Sequence, residues 1–293
     1  MVIDAHCHTD CSDGTLSIEE RIDLIHRCGF DAATITDHDY ISEEQVRRAC
    51  AAAGDMPFIP GIELTLSYKG SVVHLLGYFV DPSDGGLSRH INRVQNLDQA
   101  YTSMLIELFR PRGICFGLND LTTHSLHTHY SMHFINRMSR ELFAYNRRNT
   151  LAIFLRAIAI MGMRYADFSP WPVREGIDLI HGAGGYAVLA HPGGSRQRVM
   201  RELGFLQHDD SHIRQYLDWG LDGIEISCPA HSIEEKLHYT RIAKRYNLLE
   251  TAGSDCHGQH PLIGPCTMGA FRDIPGDLYE RMITYNNLQR CIV

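Results

Sequence analysis

The spacing of apolar positions along this chain switches repeatedly between a period of two and a period near three and a half, the pattern of strands alternating with amphipathic helices. Residues 2–7 (VIDAHC) read as a first strand, and residues 17–28 as a helix opened by Ser17 with Glu20 three positions on, a capping-box spacing. Residues 31–36 (DAATIT) form the next strand, and Ser42 caps a helix running through Ala53. PFIPGIELTL and SVVHLLGYF follow as two apolar strands close together. Beyond residue 170 the same logic resumes: a helix near 173–183, strand YAVLA, helices around 196–219, strand GIEIS, a helix over 232–246 and strand LLETAGSD. Strands and helices in alternation predict a mostly parallel sheet in an α/β fold.

The stretch from 85 to 170 breaks this rhythm. It carries helical runs such as INRVQNLDQAYTSMLIELF and TLAIFLRAIAIM, entered through the turn residues Asp81-Pro82-Ser83-Asp84-Gly85-Gly86 and left through Ser169-Pro170-Trp171-Pro172. The expected organisation is a barrel built from residues 1–84 and 171–293, with residues 85–170 inserted as a helical subdomain over its mouth. With 293 residues and 44% hydrophobic positions, one large α/β domain has ample material for a core.

Side chains able to hold metals gather at the ends of the strand-like runs. His6 and His8 are two apart, so a strand projects both to one face, and Asp13 follows on a Ser-Asp-Gly turn. His38 closes the second strand in Thr-Asp-His-Asp, where Asp37 or Asp39 could orient an imidazole. Glu63 sits inside an apolar strand, where a carboxylate needs a cation beside it. His74 and His191 are single histidines on apolar strands, and Asp255 with His257 forms a second same-face pair. Any one of these has an ordinary structural explanation; their recurrence at successive strand ends does not. Six imidazoles and three carboxylates suit Mn, Fe or Zn. They exceed the needs of one ion, so two or three divalent ions sharing Glu63 as a bridge are expected, manganese first, with iron or zinc as alternatives. Clustered ions of this kind serve phosphate-ester hydrolysis.

The net charge of −8 argues against a nucleic-acid groove, since a basic face is the usual footprint. No run approaches the roughly 20 apolar residues of a membrane span. Nine cysteines without regular spacing, and no signal-like leader, predict reduced thiols and a cytoplasmic location. Cys7 and Cys256 lie between metal-binding candidates and are expected to face the core instead.

Read in order, H-x-H, S-D-G, T-D-H-D, G-I-E, V-H-L-L-G, A-H-P-G and S-D-x-H resemble the PHP (polymerase and histidinol phosphatase) family, closest to its stand-alone phosphoesterases. The resemblance covers essentially the whole chain. It implies a distorted (β/α)7 barrel and up to three metals: one on His6, His8, Glu63 and Asp255; one on Glu63, His74 and His191; one on Asp13, His38 and His257. It also implies a hydroxide bridging two of the ions as the nucleophile on phosphorus, with Glu63 central to catalysis. His129 and His231 match positions near substrate in such relatives, and His231 could protonate the leaving oxygen. In the insertion this chain departs from them. Histidine stands at 127 where an arginine is expected, and a lysine segment is replaced by Met161-Gly162-Met163-Arg164-Tyr165. With only three lysines in the chain, Arg164 and Arg196 are the expected substitutes for gripping phosphate. The expected substrate is a small phosphorylated metabolite: a nucleotide or sugar phosphate, or a cyclic sugar phosphodiester. A 3′–5′ exonuclease and a non-catalytic, metal-stabilised binding module are the competing readings.

Overall fold

The computed structural model describes every residue except 124, 144–146, 195–197, 260–264, 266 and 291–293. Its first half runs α1 (Ile18–Cys28), β1 (Ala33–Ile35), α2 (Glu43–Ala53), β2 (Phe58–Tyr68) and β3 (Ser71–Tyr78). Three long helices follow, α3 (Gly85–Phe109), α4 (Tyr130–Phe143) and α5 (Arg147–Ile160). The remainder is α6 (Val173–Gly182), β4 (Tyr186–Leu189), α7 (Arg198–Leu203), α8 (Asp210–Leu217), β5 (Gly223–Ser227), α9 (Ile233–Tyr246), β6 (Leu249–Ala252) and α10 (Leu278–Arg290). The Ser17 capping box opens α1, and the Ser42 hydroxyl accepts from Gln45 N at the start of α2.

The six strands form one sheet in sequence order. β1 pairs parallel with β2, and β4, β5 and β6 run parallel to one another. β3 is antiparallel to both its neighbours. The reason is the two-residue connection Lys69-Gly70, whose φ values of 51° and 81° are those of a tight hairpin turn. Glycine accepts the second angle without cost.

The N-terminal segment makes no regular ladder, contrary to the expected first strand. It wedges between the two outer strands: Ile3 bridges Ala32 on one side and Cys7 bridges Cys256 on the other, both in parallel sense. Ala5 N donates to Ala252 O, Asp255 N to His6 O and Thr36 N to Cys7 O. These bonds close the curled sheet into a distorted barrel. Closure requires Gly253, because a Cβ there would lie 2.3 Å from His6 Cβ.

Apolar faces of the sheet and surrounding helices meet in adjoining clusters, one centred on Ile62, Leu64, Leu75, Val173, Ile177 and Ile224. The first half of α3 joins that cluster through Leu87, Ile91 and Val94. Its second half joins a different one with Phe134, Met138, Phe154 and Phe168. α3 is therefore the beam connecting the sheet to the helices of the inserted stretch. Cys7 and Cys256 are buried in a further cluster, and the seven described cysteines are all free thiols. No helix among the described residues is long and apolar enough to cross a membrane.

Candidate metal centre

The C-terminal ends of the parallel strands, together with the middle of the β2–β3 hairpin, bring the nine candidate side chains into one cleft. His74 stands opposite Thr65 in the hairpin, so Glu63 is its diagonal neighbour on the same face. Glu63 is fully buried and shared by both of its oxygens. Oε1 lies 3.0 Å from His74 Nδ1 and 3.0 Å from His191 Nε2. Oε2 lies 3.0 Å from His6 Nε2, 3.2 Å from His8 Nε2 and 3.3 Å from His38 Nδ1. Asp255 Oδ1 stands 3.2 Å from His8 Nε2, and Asp13 Oδ1 3.2 Å from His257 Nε2. His8 stacks on His257 with ring centres 4.1 Å apart.

Three sets of donors converge. One donor atom each from His6, His8, Glu63 and Asp255 lies within 4.8 Å of the others, and the same holds for His8, Asp13, His38 and His257 and for His38, Glu63 and His74. His8 and His38 thus belong to two sets each, a sharing that one-ion-per-motif reasoning did not anticipate. Donors held about 2.0–2.2 Å from an ion stand roughly 3–3.5 Å from one another, which is the spacing seen around Glu63. His8 Nδ1 and His38 Nδ1 are buried without a hydrogen-bond partner. Buried polar atoms of this kind need a partner, and a cation supplies one where hydrogen-bond geometry does not. The residues present therefore fit a multi-ion centre.

The electrostatics agree. Burial works against ionising Glu63, yet the charges of His6, His38 and His74 and a bond from His191 hold its carboxyl well below the usual range. Asp13 is likewise kept low against its burial, by His257 and His38. Burial also opposes protonation of His8, but Asp255 and Glu63 push its pKa up to about 10. His6 is raised in the same way by Glu63, Glu225 and Asp255. His38 goes the other way, because burial and the charges of His8 and His74 outweigh the carboxylates. Three ionised carboxylates thus hold protons on some imidazoles and not on others; cations would displace those protons.

Two ligand candidates stand on unusual backbone. His191 has φ 27° and Asp255 φ 49°, in the left-handed region that costs a non-glycine residue about 1 kcal/mol or more. The chain turns there immediately after β4 and β6, which aims both side chains back over the sheet.

Supporting groups were only partly legible in advance. Asp37 does not touch an imidazole. Its buried carboxylate accepts from Thr9 N at 2.7 Å, Ser12 Oγ at 2.6 Å and Gln45 Nε2 at 2.6 Å, with a further bond from Thr9 Oγ1, and so ties down the loop that carries Asp13. Asp39 accepts from Thr65 N at 2.8 Å, and burial raises its carboxyl to about 7. The residue that orients imidazole is Glu225, fully buried in the centre of β5. Its Oε1 is 3.0 Å from His6 Nδ1 and its Oε2 accepts from His191 N at 2.8 Å. The signal was present: Gly223-Ile224-Glu225 repeats Gly61-Ile62-Glu63. Beneath the cleft, the buried Arg21 donates to His8 O and Cys256 O, both at 2.9 Å, and so pins the two segments that bear same-face pairs.

The expected substrate contacts fare differently. His129 is half-buried beside the N-terminus of α4, its Nδ1 3.4 Å from Ser131 Oγ, while Asp98 of α3 accepts from Ser131 N. Arg164 is exposed, pairs with Asp167 at 3.2 Å and lies over Gly70 at the hairpin turn. Its neighbour Tyr165 packs on Phe154 and Phe168, and burial raises its phenol pKa, with Asp13, Asp98, Asp39 and Glu63 adding to the rise. Arg196 lies outside the described residues. His231 is buried with both ring nitrogens occupied by main chain, Nδ1 on Ile226 O at 2.8 Å and Nε2 receiving Gly193 N–H at 3.0 Å. No nitrogen is left on that ring to protonate a leaving oxygen; it anchors the loop after His191 instead.

Comparison with known proteins adds an independent line. The PHP domain family matches residues 4–105. A 3′,5′-nucleoside bisphosphate phosphatase of Chromobacterium violaceum is 26% identical, covering 93% of this chain and 92% of its own. A 5′-3′ exoribonuclease of Haemophilus influenzae is 24% identical over 87% of this chain and 89% of its own. A solved structure from Bifidobacterium adolescentis shares the fold, with a TM-score of 0.76 at 23% identity, covering 97% of this chain and 96% of that one.

Proposed function

We propose that this chain, whose residues 4–105 match the PHP domain family, is a PHP-type metal-dependent phosphoesterase acting on a nucleotide-sized phosphate ester. The observation that carries this reading is the double sharing of Glu63, whose two oxygens face five imidazoles from four separate segments. His6, His8, Glu63 and Asp255 would hold one ion, Asp13, His38 and His257 a second, and Glu63 with His74 and His191 a third. Divalent ions held there supply Lewis-acid polarisation of phosphoryl oxygens and ionise water near neutral pH.

The protein's own groups would do the rest. Glu225 fixes His6 and the His191 backbone, Arg21 holds the His8 and Cys256 carbonyls, and Asp37 holds the Asp13 loop, so the ligands keep their geometry without substrate. His129 and Tyr165, both carried by the inserted stretch, would orient the ester and exclude water. A small substrate fits that covering better than a long polymer does. The named relatives include a bisphosphate phosphatase, which favours a nucleotide. They also include a nuclease of 5′-3′ polarity, opposite to the direction expected from sequence, so stepwise attack on an RNA 5′ end is the second reading.

The test is phosphate release from a panel of mononucleotides, nucleoside bisphosphates, cyclic phosphates and a 5′-phosphorylated oligoribonucleotide, with Mn²⁺ added. Glu63→Gln should lower turnover by about 10³-fold, the equivalent of several kcal/mol of lost charge stabilisation. Wild-type turnover in that variant would remove the basis of the proposal, and cleavage of the oligonucleotide alone would favour the nuclease.

A further inference from the structure

A cavity of about 330 Å³ opens in the inserted helices, lined by Asp120, Thr122, Thr123, His133, Arg137 and Arg140 among others. Its size falls within the range of small-molecule sites, and two guanidinium groups, those of Arg137 and Arg140, stand on its mixed polar and apolar wall. Arg137 is held in place: Nε donates to Glu141 at 2.7 Å, Nη1 to Asp120 O at 2.8 Å, and the guanidinium lies 4.3 Å over the Phe116 ring. Arg140 is exposed, and its ionic partner, Glu141, stands 3.9 Å away, too far to satisfy it. The Asp120 carboxylate is turned onto Gly117 N–H at 2.8 Å. His133 Nε2 is buried with no partner, and burial keeps that imidazole neutral at physiological pH. Both threonine hydroxyls are already engaged, Thr122 Oγ1 by Asn119 O and Thr123 Oγ1 by Ser125 Oγ and His127 O, so the donors left to the recess are a guanidinium held in place and a second without a close carboxylate, paired cations of the kind that recognise phosphate.

We infer that this cavity is a second phosphate-binding site, separate from the metal centre and taking the phosphate group of a small organic molecule. It lies one layer of residues from the cleft. Thr123 Oγ1 reaches His127 O at 3.4 Å, and His127 Nδ1 donates to Cys11 O at 2.9 Å, two residues before Asp13. The occupant could therefore be a non-scissile phosphate of the substrate itself or the phosphate of a separate molecule.

Binding is measured on protein stripped with a chelator, so the result does not depend on the proposed hydrolysis. Titration calorimetry with inorganic phosphate and with adenosine 3′,5′-bisphosphate should show saturable binding, weakened tenfold or more by Arg140→Ala. Arg140→Lys should weaken it less, and Arg156→Ala, an exposed arginine of α5 outside the cavity, by less than twofold. Absence of binding, or equal losses in the Arg140 and Arg156 variants, would overturn the inference, the latter because it would report diffuse charge. The source follows from kinetics with metal restored. If the substrate supplies the phosphate, Arg140→Ala raises KM for a bisphosphate more than for the corresponding monophosphate. If a separate molecule supplies it, added phosphate alters monophosphate turnover in the wild type and not in the variant.

Discussion

Replacing Glu225 by glutamine should weaken metal binding without unfolding the barrel. The carboxylate is fully buried and engages two donors, His6 Nδ1 at 3.0 Å and His191 N at 2.8 Å. Glutamine has the same shape, but only one end of its amide accepts. If the oxygen faces His6, the NH₂ group meets the His191 N–H and both donors go unmet. If the NH₂ faces His6, Nδ1 must accept, and the ring's proton moves to Nε2, the atom that looks at Glu63 and Asp255. Either orientation forfeits one charge-assisted bond, about 1.5–3 kcal/mol. At 1.4 kcal/mol per decade this corresponds to roughly 10- to 100-fold in affinity, the range usual for losing a carboxylate behind a ligating histidine. Competition against a chromophoric chelator gives the dissociation constant for Mn²⁺ or Zn²⁺, and circular dichroism of the metal-free protein checks the fold. A Glu225→Gln protein that melts like the wild type and binds metal within twofold of it would refute the reasoning, since the orienting bond would then carry no energy.

Three further outcomes follow from the same geometry. Metal uptake at pH 7 should release protons, on the order of two to three per molecule, because His6, His8 and His191 have raised pKa values without metal and must be neutral to ligate. The sign is fixed by those shifts: affinity should fall as pH falls, and calorimetry in buffers of different ionisation enthalpy measures the count. Asp37→Asn should cost about 2–4 kcal/mol of stability, since one amide oxygen cannot replace a carboxylate serving four donors; a denaturant melt within 0.5 kcal/mol of wild type would contradict that. Removing metal with a chelator should abolish hydrolysis and leave the far-ultraviolet spectrum largely intact, because the apolar clusters do not pass through the metal cleft.

Much of this molecule could be read before folding was considered, and the reasons are local. Ser17 and Ser42 announced α1 and α2 because a cap is a short-range contact. Glu63 was conspicuous because a carboxylate in an apolar strand has few explanations. What escaped notice depended on long-range geometry. Glu225 sits in a Gly-Ile-Glu run like that of Glu63, yet only the three-dimensional arrangement shows that it points at His6 rather than at an ion. His231 looked free in sequence and proved to be fully engaged by Ile226 and Gly193. The first strand was over-read for a related reason: alternation shows which face is apolar, not whether a ladder of partners exists on either side.

The wedge made by residues 3–7 has a bearing on how the protein comes into being. Ile3 meets Ala32, but Cys7 waits for Cys256, almost the whole polypeptide later. A ribosome releasing the chain in order must therefore leave this segment with one flank open until the final strand emerges. Contacts so distant in sequence form slowly, and the histidine pair on that segment would meet Asp255 only at the end of maturation.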